Sequence, residues 1–223
     1  MKKPPQITIE TLSQEILSPG FLAIDRRKVK ISYPQNGLVP IEDQFMTIDS
    51  IVRKSNDAVA IVAHFELNSQ RYIYLRSCLR PAAMFRDYVN DSERPENDGI
   101  GNLFELPAGL VDDNENGLYG LELAAQRELY EETGLNCNVG AFRKLGSRYF
   151  SSAGMCAERI WFYEVEVDSL LIETPKEDGS PLEFGGEVIA IKLTEALDAI
   201  ENEEIVDAKT QMGLMRLAKK YGI

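Results

Sequence analysis

The sequence is short of the residues that many catalytic and metal sites need. It has one histidine, His64, and three cysteines, Cys78, Cys137 and Cys156. With a single histidine, a Ser-His-Asp or Cys-His catalytic arrangement is improbable, and zinc sites built from several His or Cys are excluded. The cysteines lie far apart without a C-x-x-C pair, so we expect reduced thiols. His64 lies in the apolar run AVAIVAHF, which favours a buried strand residue over a catalytic one.

The chain also lacks an excess of positive charge and any long apolar run. Its 24 Lys and Arg are outnumbered by 36 Asp and Glu, and the formal net charge is -12. Because a nucleic-acid backbone is normally met by a basic face, we expect no nucleic-acid partner. No uncharged apolar run reaches about 18 residues, and MKKPPQITIE has no apolar core after its lysines, so neither membrane insertion nor export is expected. The predicted location is the cytoplasm.

The composition that remains is that of an ordinary globular protein. Hydrophobic residues make up 44% of the 223 residues and charged residues 27%, which excludes collagen-like and mostly disordered chains. We divide the chain into an N-terminal strand element, residues 1–55, and a main domain, residues 56–223. In the first, Asn36-Gly37 predicts a hairpin turn between two extended stretches. An isolated hairpin is marginal in water, so it needs the main domain or a second subunit, and we favour a homodimer.

The main domain opens with an apolar run at residues 57–65 that is typical of a strand buried on both faces, and residues 71–78 are expected to pair with it. Residues 87–102 are acidic and contain Pro and Gly, which predicts a surface loop. The chain ends in a predicted strand and two helices, with Thr194 and Asp207 as candidate N-caps.

Three acids are placed together in the stretch RELYEETGL, residues 127–135. On a helix, Glu128 and Glu132 lie one turn apart and Glu131 adjoins them. Stacked like charges repel by a few tenths of a kcal/mol per pair, so a solvated helix gains nothing from them. Mg²⁺ or Mn²⁺ removes the repulsion, because both take carboxylate oxygens together with waters and phosphate oxygens. The alternative is an acidic surface helix that ends at Gly134.

The same stretch resembles the closing part of the Nudix box, and residues 105–109, ELPAG, resemble its opening in the branch that cleaves ADP-ribose and nucleotide sugars. The resemblance implies an α+β fold, an α/β/α sandwich with a mixed sheet. It also implies metal-dependent hydrolysis of a nucleoside diphosphate derivative to a nucleoside monophosphate and a sugar phosphate. By resemblance, the metal ligands are Glu128, Glu132 and the Ala108 carbonyl.

The resemblance assigns further roles by position. Glu131 binds another metal or orients water, and Glu158, which follows the loop Ser152-Ala153-Gly154, is the candidate general base, although Ala153 replaces the proline usual in that loop. Arg80 and Glu105 are expected substrate contacts. Three residues are expected to be structural: Gly109 permits a close backbone approach, Arg127 holds Glu131 or a neighbouring acid, and Gly134 caps the helix.

One interval departs from the Nudix pattern. Eleven residues separate Glu115 from Arg127 where the pattern has seven. A four-residue insertion between Glu115 and Gly120 explains the difference, whereas counting back from Arg127 would put Tyr119 in the glutamate position. The departure puts Glu115 in doubt but leaves the three acids unaffected. We expect the helix to begin near Leu118, with Leu121, Ala125 and Leu129 forming its apolar stripe.

Other functions are compatible with these residues. One is a Nudix pyrophosphatase for a different nucleoside diphosphate derivative, and another is a non-catalytic nucleotide-sugar sensor. The intact acids argue against the sensor. A structural protein with an acidic helix would tolerate replacement of its glutamates.

Overall fold

The computed structural model describes residues 7–34, 41–84, 102–168, 175 and 186–223. The predicted turn at Asn36-Gly37 and nearly all of the loop predicted at 87–102 lie outside these ranges. The chain forms two compact units. The first is Met1–Asn56 with Phe150–Glu158, and the second is Asp57–Tyr149 with Arg159–Ile223.

The first unit contains a three-stranded antiparallel sheet. Its strands are β1 (Thr8–Leu17), β2 (Ala23–Ser32) and β3 (Gln44–Val52), in the order β1-β2-β3. The predicted pairing of two extended stretches is confirmed by β2 and β3. The strand β1 was not predicted, because its register shifts between Thr11 and Ser13 and a bulge interrupts the alternation that marks a strand.

The second unit is built on a mixed sheet. Its strands are β4 (Asp57–Leu67), β5 (Gln70–Leu79), β6 (Asn102–Glu105), β7 (Ala108–Leu110), β8 (Arg143–Lys144), β10 (Arg159–Glu166) and β11 (Val188–Lys192), and a short strand, β9 (Tyr149–Phe150), precedes β10. The main path is β11-β5-β4-β10-β8, with β6 on β5 and β7 on β4. The pair β4 and β10 is parallel, and β4 pairs antiparallel with β5, as predicted.

Helices cover both faces of this sheet. They are α1 (Pro81–Met84), α2 (Gly117–Thr133), α3 (Leu193–Glu201) and α4 (Ala208–Tyr221), with a 3-10 turn at Val139–Ala141. Alternate residues of β4 enter different cores: Val59 and Ile61 join the α2 side, and Ala60 and Val62 join the side of α3 and α4. A strand covered on both faces has no polar side, which explains its continuous apolar run. The predicted sandwich is confirmed.

The ends of the helices confirm one predicted cap and correct another. The Asp207 side chain accepts a hydrogen bond from the Thr210 N–H at 2.9 Å and caps α4. The prediction of Thr194 as a cap is wrong, because α3 begins at Leu193 with Lys192 in the cap position and without a side-chain cap. The buried Leu193 draws the first turn into the core directly after β11.

His64 is the buried strand residue that was predicted. Its Nδ1 lies 2.7 Å from Arg71 Nη1 and its Nε2 lies 2.9 Å from Glu164 Oε2. Because arginine has only donors, Nδ1 accepts and Nε2–H donates to Glu164, so the ring is neutral. Burial lowers the pKa of His64, which also favours the neutral ring. Within the described ranges, no helix is long and apolar enough to cross a membrane.

Candidate active site

The helix α2 carries the three predicted acids, and two of them face Ala108 and Gly109 at the start of β7. A Cβ on Gly109 would overlap the Glu128 carboxylate, so only glycine permits this approach. Glu132 is buried, and its Oε2 accepts the Ala108 N–H at 3.0 Å. The structure therefore brings together Ala108, Gly109, Glu128 and Glu132. The role of the Ala108 carbonyl as a metal ligand stays a prediction.

The packing of α2 explains why these acids face β7. Leu121, Ala125 and Leu129 are buried against the sheet, as predicted, and this fixes the rotation of the helix. Gly134 then ends the helix in the left-handed conformation, with φ of 72°, where glycine has no steric penalty.

Arg127 donates hydrogen bonds to four oxygen-bearing groups near β7. Its Nη1 donates to Glu128 Oε1 at 2.7 Å and to Glu131 Oε2 at 3.3 Å. Its Nη2 donates to the Leu110 carbonyl at 2.9 Å, and Nε and Nη2 both donate to Glu115, at 2.9 and 3.0 Å. Hydrogen bonds that Arg127 donates to Glu115, and the charge of Glu128, raise the pKa of Arg127. The contacts agree with the holding role predicted for Arg127.

Glu115 lies beside Arg127 although the interval between them is longer than in the Nudix pattern. Burial favours its neutral form, but the hydrogen bonds from Arg127 outweigh this and lower the pKa of Glu115. The alternative residue, Tyr119, is exposed. Four extra residues correspond to about one helical turn, and α2 begins at Gly117, ten residues before Arg127. At Gly120 a Cβ would overlap the backbone of Glu115, so glycine allows the loop to lie against this first turn.

The second predicted pair, Arg80 and Glu105, forms a separate ion cluster with Lys209. Arg80 donates to both carboxylate oxygens of the buried Glu105 at 2.7 Å, and Lys209 Nζ also contacts this carboxylate. Burial alone would raise the pKa of Glu105, but the Arg80 hydrogen bonds and the Lys209 charge hold it below its usual value. Burial raises the pKa of the neighbouring Cys78 to about 12, and the charges of Glu132 and Glu105 act in the same direction.

Glu158, the predicted base, lies in the first unit. Its carboxylate forms an ion pair with Arg53, and its carbonyl accepts the Ser151 N–H at 3.2 Å. This backbone hydrogen bond joins the first and last residues of the loop 151–158, which contains Ala153. The ion pair with Arg53 was not anticipated.

The sequence pattern of the family described as NUDIX domain matches residues 88–210, more than half of the chain. The chain belongs to the NUDIX domain family. Two stretches that the sequence singled out, ELPAG and RELYEETGL, both lie inside the matched NUDIX region.

Several relatives of this NUDIX chain have names that state an activity. A GDP-mannose pyrophosphatase of Citrobacter koseri is 36% identical over 110 residues, covering 49% of this chain and 52% of that protein. An ADP-ribose pyrophosphatase of Bacillus subtilis is 32% identical over 121 residues, covering 54% of this chain and 60% of that protein. The matched part thus spans about half to three fifths of the relatives' lengths.

A solved structure described as an ADP compounds hydrolase has the same fold. It superposes with a TM-score of 0.68 and covers 99% of this chain and 97% of its own, at 14% sequence identity. The likeness supports the architecture of the NUDIX chain and not its chemistry, since the sequences are distant.

The residue types on α2, although not their present arrangement, suit a hard divalent cation. Glu128, Glu131 and Glu132 supply carboxylate oxygens, the ligand type that Mg²⁺ and Mn²⁺ prefer. In the part of the chain that the structure describes, no three His, Cys, Asp or Glu side chains are grouped closely enough to enclose a metal. Instead the Glu128 carboxylate pairs with Arg127, and the Glu132 carboxylate accepts a hydrogen bond from the Ala108 N–H.

Lys209 is the residue near the site that the sequence did not single out. The stretch DAKT at residues 207–210, which contains Lys209, lies at the end of the matched NUDIX region. The contact of Lys209 with Glu105 joins residues 104 positions apart, which no local pattern encodes.

Proposed function

We propose that this protein hydrolyses the pyrophosphate bond of ADP-ribose or a nucleoside diphosphate sugar, with Mg²⁺ or Mn²⁺, and releases a nucleoside monophosphate and a sugar phosphate. The observation that carries the proposal is the packing of Glu128 and Glu132 against Ala108 and Gly109 of β7. An acidic surface helix would leave its glutamates in water, whereas Glu132 here is almost fully buried.

Glu128, Glu132 and the Ala108 carbonyl would hold the metal. Bound there, a divalent cation would polarise the phosphates and lower the pKa of a bound water. It would also neutralise charge in a chain whose net charge is -12, which an anionic substrate otherwise meets unfavourably.

The other residues of the site orient groups or move a proton. Arg127 restrains the carboxylates of Glu128 and Glu131, and the more exposed Glu131 binds a further metal or orients the attacking water. Glu158 is the proposed general base, and Arg53 contacts one of its two carboxylate oxygens. Arg80 is the proposed ligand of a substrate phosphate, with Glu105 beside it.

The substrate class rests on sequence similarity at two levels, a short motif and the named relatives. The opening ELPAG resembles the ADP-ribose and nucleotide-sugar branch, and the named relatives are GDP-mannose and ADP-ribose pyrophosphatases. Both substrates contain two phosphates between a nucleoside and a sugar, so the chemistry at phosphorus is shared.

The test is product analysis with Mg²⁺ and a panel of ADP-ribose, UDP-glucose, GDP-mannose, dinucleoside polyphosphates and NTPs. We expect Glu132→Gln to lower kcat by about a hundredfold or more, since it removes a charged ligand from the proposed metal site. Glu122→Gln, on the same helix but outside the site, is the matched control. If no compound is cleaved, or if Glu132→Gln cleaves as fast as the wild type, the proposed reaction is wrong. Binding without cleavage would instead support a nucleotide-sugar sensor.

We also propose that residues 1–55 form a dimerisation element, separate from a NUDIX domain at residues 56–223. Large apolar side chains on the first unit, among them Ile9, Phe21 and Phe45, are exposed, and exposed apolar surface of this kind often marks an interface. We propose a second copy of this chain as the partner, and light scattering at several concentrations measures it. The three free cysteines are consistent with a reducing compartment, and we propose the cytoplasm.

A further inference from the structure

Two cations share one buried carboxylate in the Glu105 cluster, which consists of Arg80, Glu105 and Lys209. The Glu105 side chain is only 2% exposed. Arg80 forms a bidentate ion pair with the Glu105 carboxylate, in which Nε and Nη2 each donate at 2.7 Å. Lys209 Nζ contacts Oε2 of the same carboxylate. The two cations differ in exposure, since the Arg80 side chain is 46% exposed and that of Lys209 is 14% exposed.

Lys209 is the anchored member of the cluster. Its Nζ lies 3.1 Å from Asp207 Oδ2, and the same Asp207 oxygen accepts hydrogen bonds from the N–H and the hydroxyl of Thr210, at 2.9 and 2.7 Å. The Thr210 hydroxyl oxygen in turn accepts the Leu106 N–H at 2.9 Å. The start of α4 is therefore tied to the residue that follows Glu105, which fixes Lys209 beside the carboxylate.

Arg80 is the member that can move. It lies between β5 and α1, and about half of its side chain faces solvent. If Arg80 left Glu105 without another cation present, a buried carboxylate would lose its compensation, which is strongly unfavourable. With Lys209 in place, the carboxylate stays paired.

We propose that Lys209 is a positioning residue that keeps Glu105 neutralised while Arg80 turns from Glu105 to a phosphate of the substrate. The inference rests on the proposed function, because it takes the substrate to be a nucleoside diphosphate derivative. Lys209 itself does not touch the substrate. It lowers the free energy needed to release Arg80, so it acts on substrate binding and not on the chemical step.

The first test separates KM from kcat. Lys209→Met removes the charge and keeps most of the side chain, and it should raise KM about tenfold, corresponding to about 1.4 kcal/mol, with kcat changed less than about twofold. Lys209→Arg should restore KM. Lys219→Met, an exposed lysine on the same helix, is the matched control and should leave both constants unchanged. A loss confined to kcat, or equal effects of the two Met variants, would overturn the proposal.

A double-mutant cycle tests whether Lys209 acts through Arg80. In an Arg80→Met background, Lys209→Met should change KM by less than about twofold, because there is no guanidinium left to release. If the two effects instead multiply, Lys209 contacts the substrate itself and the proposed role is wrong. Lys209→Gln gives the same comparison if the methionine variant does not fold, as judged by its circular dichroism spectrum.

A ligand-free measurement keeps this inference separate from the proposed function. Hydrogen exchange of the Arg80 Nε–H, followed by NMR on protein with labelled arginine and assigned by its loss in Arg80→Met, reports how often the contact with Glu105 opens. Exchange should slow severalfold in Lys209→Met, since Arg80 is then the remaining cation on the carboxylate within the described cluster. Unchanged exchange overturns the positioning role even if the enzyme cleaves ADP-ribose. Slower exchange supports it even if the substrate panel shows no cleavage.

Discussion

The two compact units use apolar side chains and charge in opposite ways. In the first unit, Phe21 and Phe45 are 77% and 67% exposed, whereas β4 of the second unit is buried on both faces. The first unit, Met1–Asn56 with Phe150–Glu158, contains eight Lys and Arg and seven Asp and Glu, and the second unit contains sixteen and twenty-nine. Nearly all of the acidity therefore belongs to the unit that carries the candidate active site.

The difference indicates a division of roles within one chain. A nearly neutral surface with exposed apolar groups can meet a second copy of itself without strong repulsion, whereas a strongly acidic surface disfavours such contact. The acidic unit instead gains from cations, either the arginines already paired with Glu105, Glu115 and Glu128 or a divalent metal. Substitutions in the two units test this division of roles.

The largest effect is expected for a core substitution in the second unit. Leu129→Ala removes a fully buried side chain of α2 and should lower the free energy of unfolding by about 2–5 kcal/mol. Urea denaturation measures it, and the loss should not depend on protein concentration. Leu118→Ala, at an exposed site on the same helix, should change stability by less than about 0.5 kcal/mol. Equal losses for the two variants would contradict the assigned packing of α2.

Gly120→Ala tests the contact that holds the loop before α2. The added Cβ overlaps the backbone of Glu115, so the loop must shift and weaken the bonds between Glu115 and Arg127. We expect kcat/KM to fall about tenfold, since small misplacements near reacting groups are costly. Gly140→Ala, whose Cβ would meet nothing within 4 Å, is the control. Wild-type activity in Gly120→Ala would show that Arg127 needs no support from Glu115.

The pH dependence of stability should report on the second unit, because it contains the single histidine. Burial holds the pKa of His64 below its ordinary value of 6.5, so the unfolded chain takes up this proton first as the pH falls. Stability should therefore decrease as the pH drops below about 6.5. His64→Gln should lose that part of the pH dependence, measured by urea midpoints at several pH values. An unchanged profile in the variant would mean that His64 is not held neutral.

The carboxylates add a second window at lower pH. Burial would raise the pKa of Glu164, but hydrogen bonds from Lys220 and His64 lower it overall. Stability from such a group is present above its unfolded pKa and is lost as the pH falls through the folded value. Glu164→Gln should reduce the acid sensitivity, and unfolding curves between neutral and acidic pH test this.

The smallest effect on catalysis is expected from an exposed apolar residue of β3 in the first unit. Phe45→Ser removes a large exposed apolar group from β3 and should weaken self-association, seen as a shift to lower mass in light scattering at low concentration. The activity of protein at high concentration should stay within about twofold of the wild type. Gln44→Ser, the neighbouring residue of β3, is the control for changes to the strand itself. A dimer unaffected by Phe45→Ser would place the interface elsewhere.

Local patterns predicted a large part of this structure. The helix 117–133, its apolar stripe and the position of the three acids follow from a period of 3.6 residues, and β4 follows from its apolar run. The strand β1 escaped prediction because a bulge breaks its alternation. Lys209 escaped because its partner Glu105 is distant in sequence, and only the docking of α4 beside β6 brings them together.

The doubt about Glu115 shows a different limit of sequence patterns. Counting residues suggested that the lengthened interval could displace it, yet its bonds to Arg127 are intact. The structure resolves the ambiguity because ion pairing depends on where the loop lies and not on its length.

The extra turn at the start of α2 bears on how such motifs are searched for in other sequences. An insertion of about one turn preserves the rotational phase between the residues before it and those after it, so the acids of α2 keep their direction while the helix starts earlier. Insertions of one or two residues would not do so. A search for this motif should therefore let the interval before the arginine grow in steps of about three or four residues and require a glycine where the longer helix meets the incoming loop.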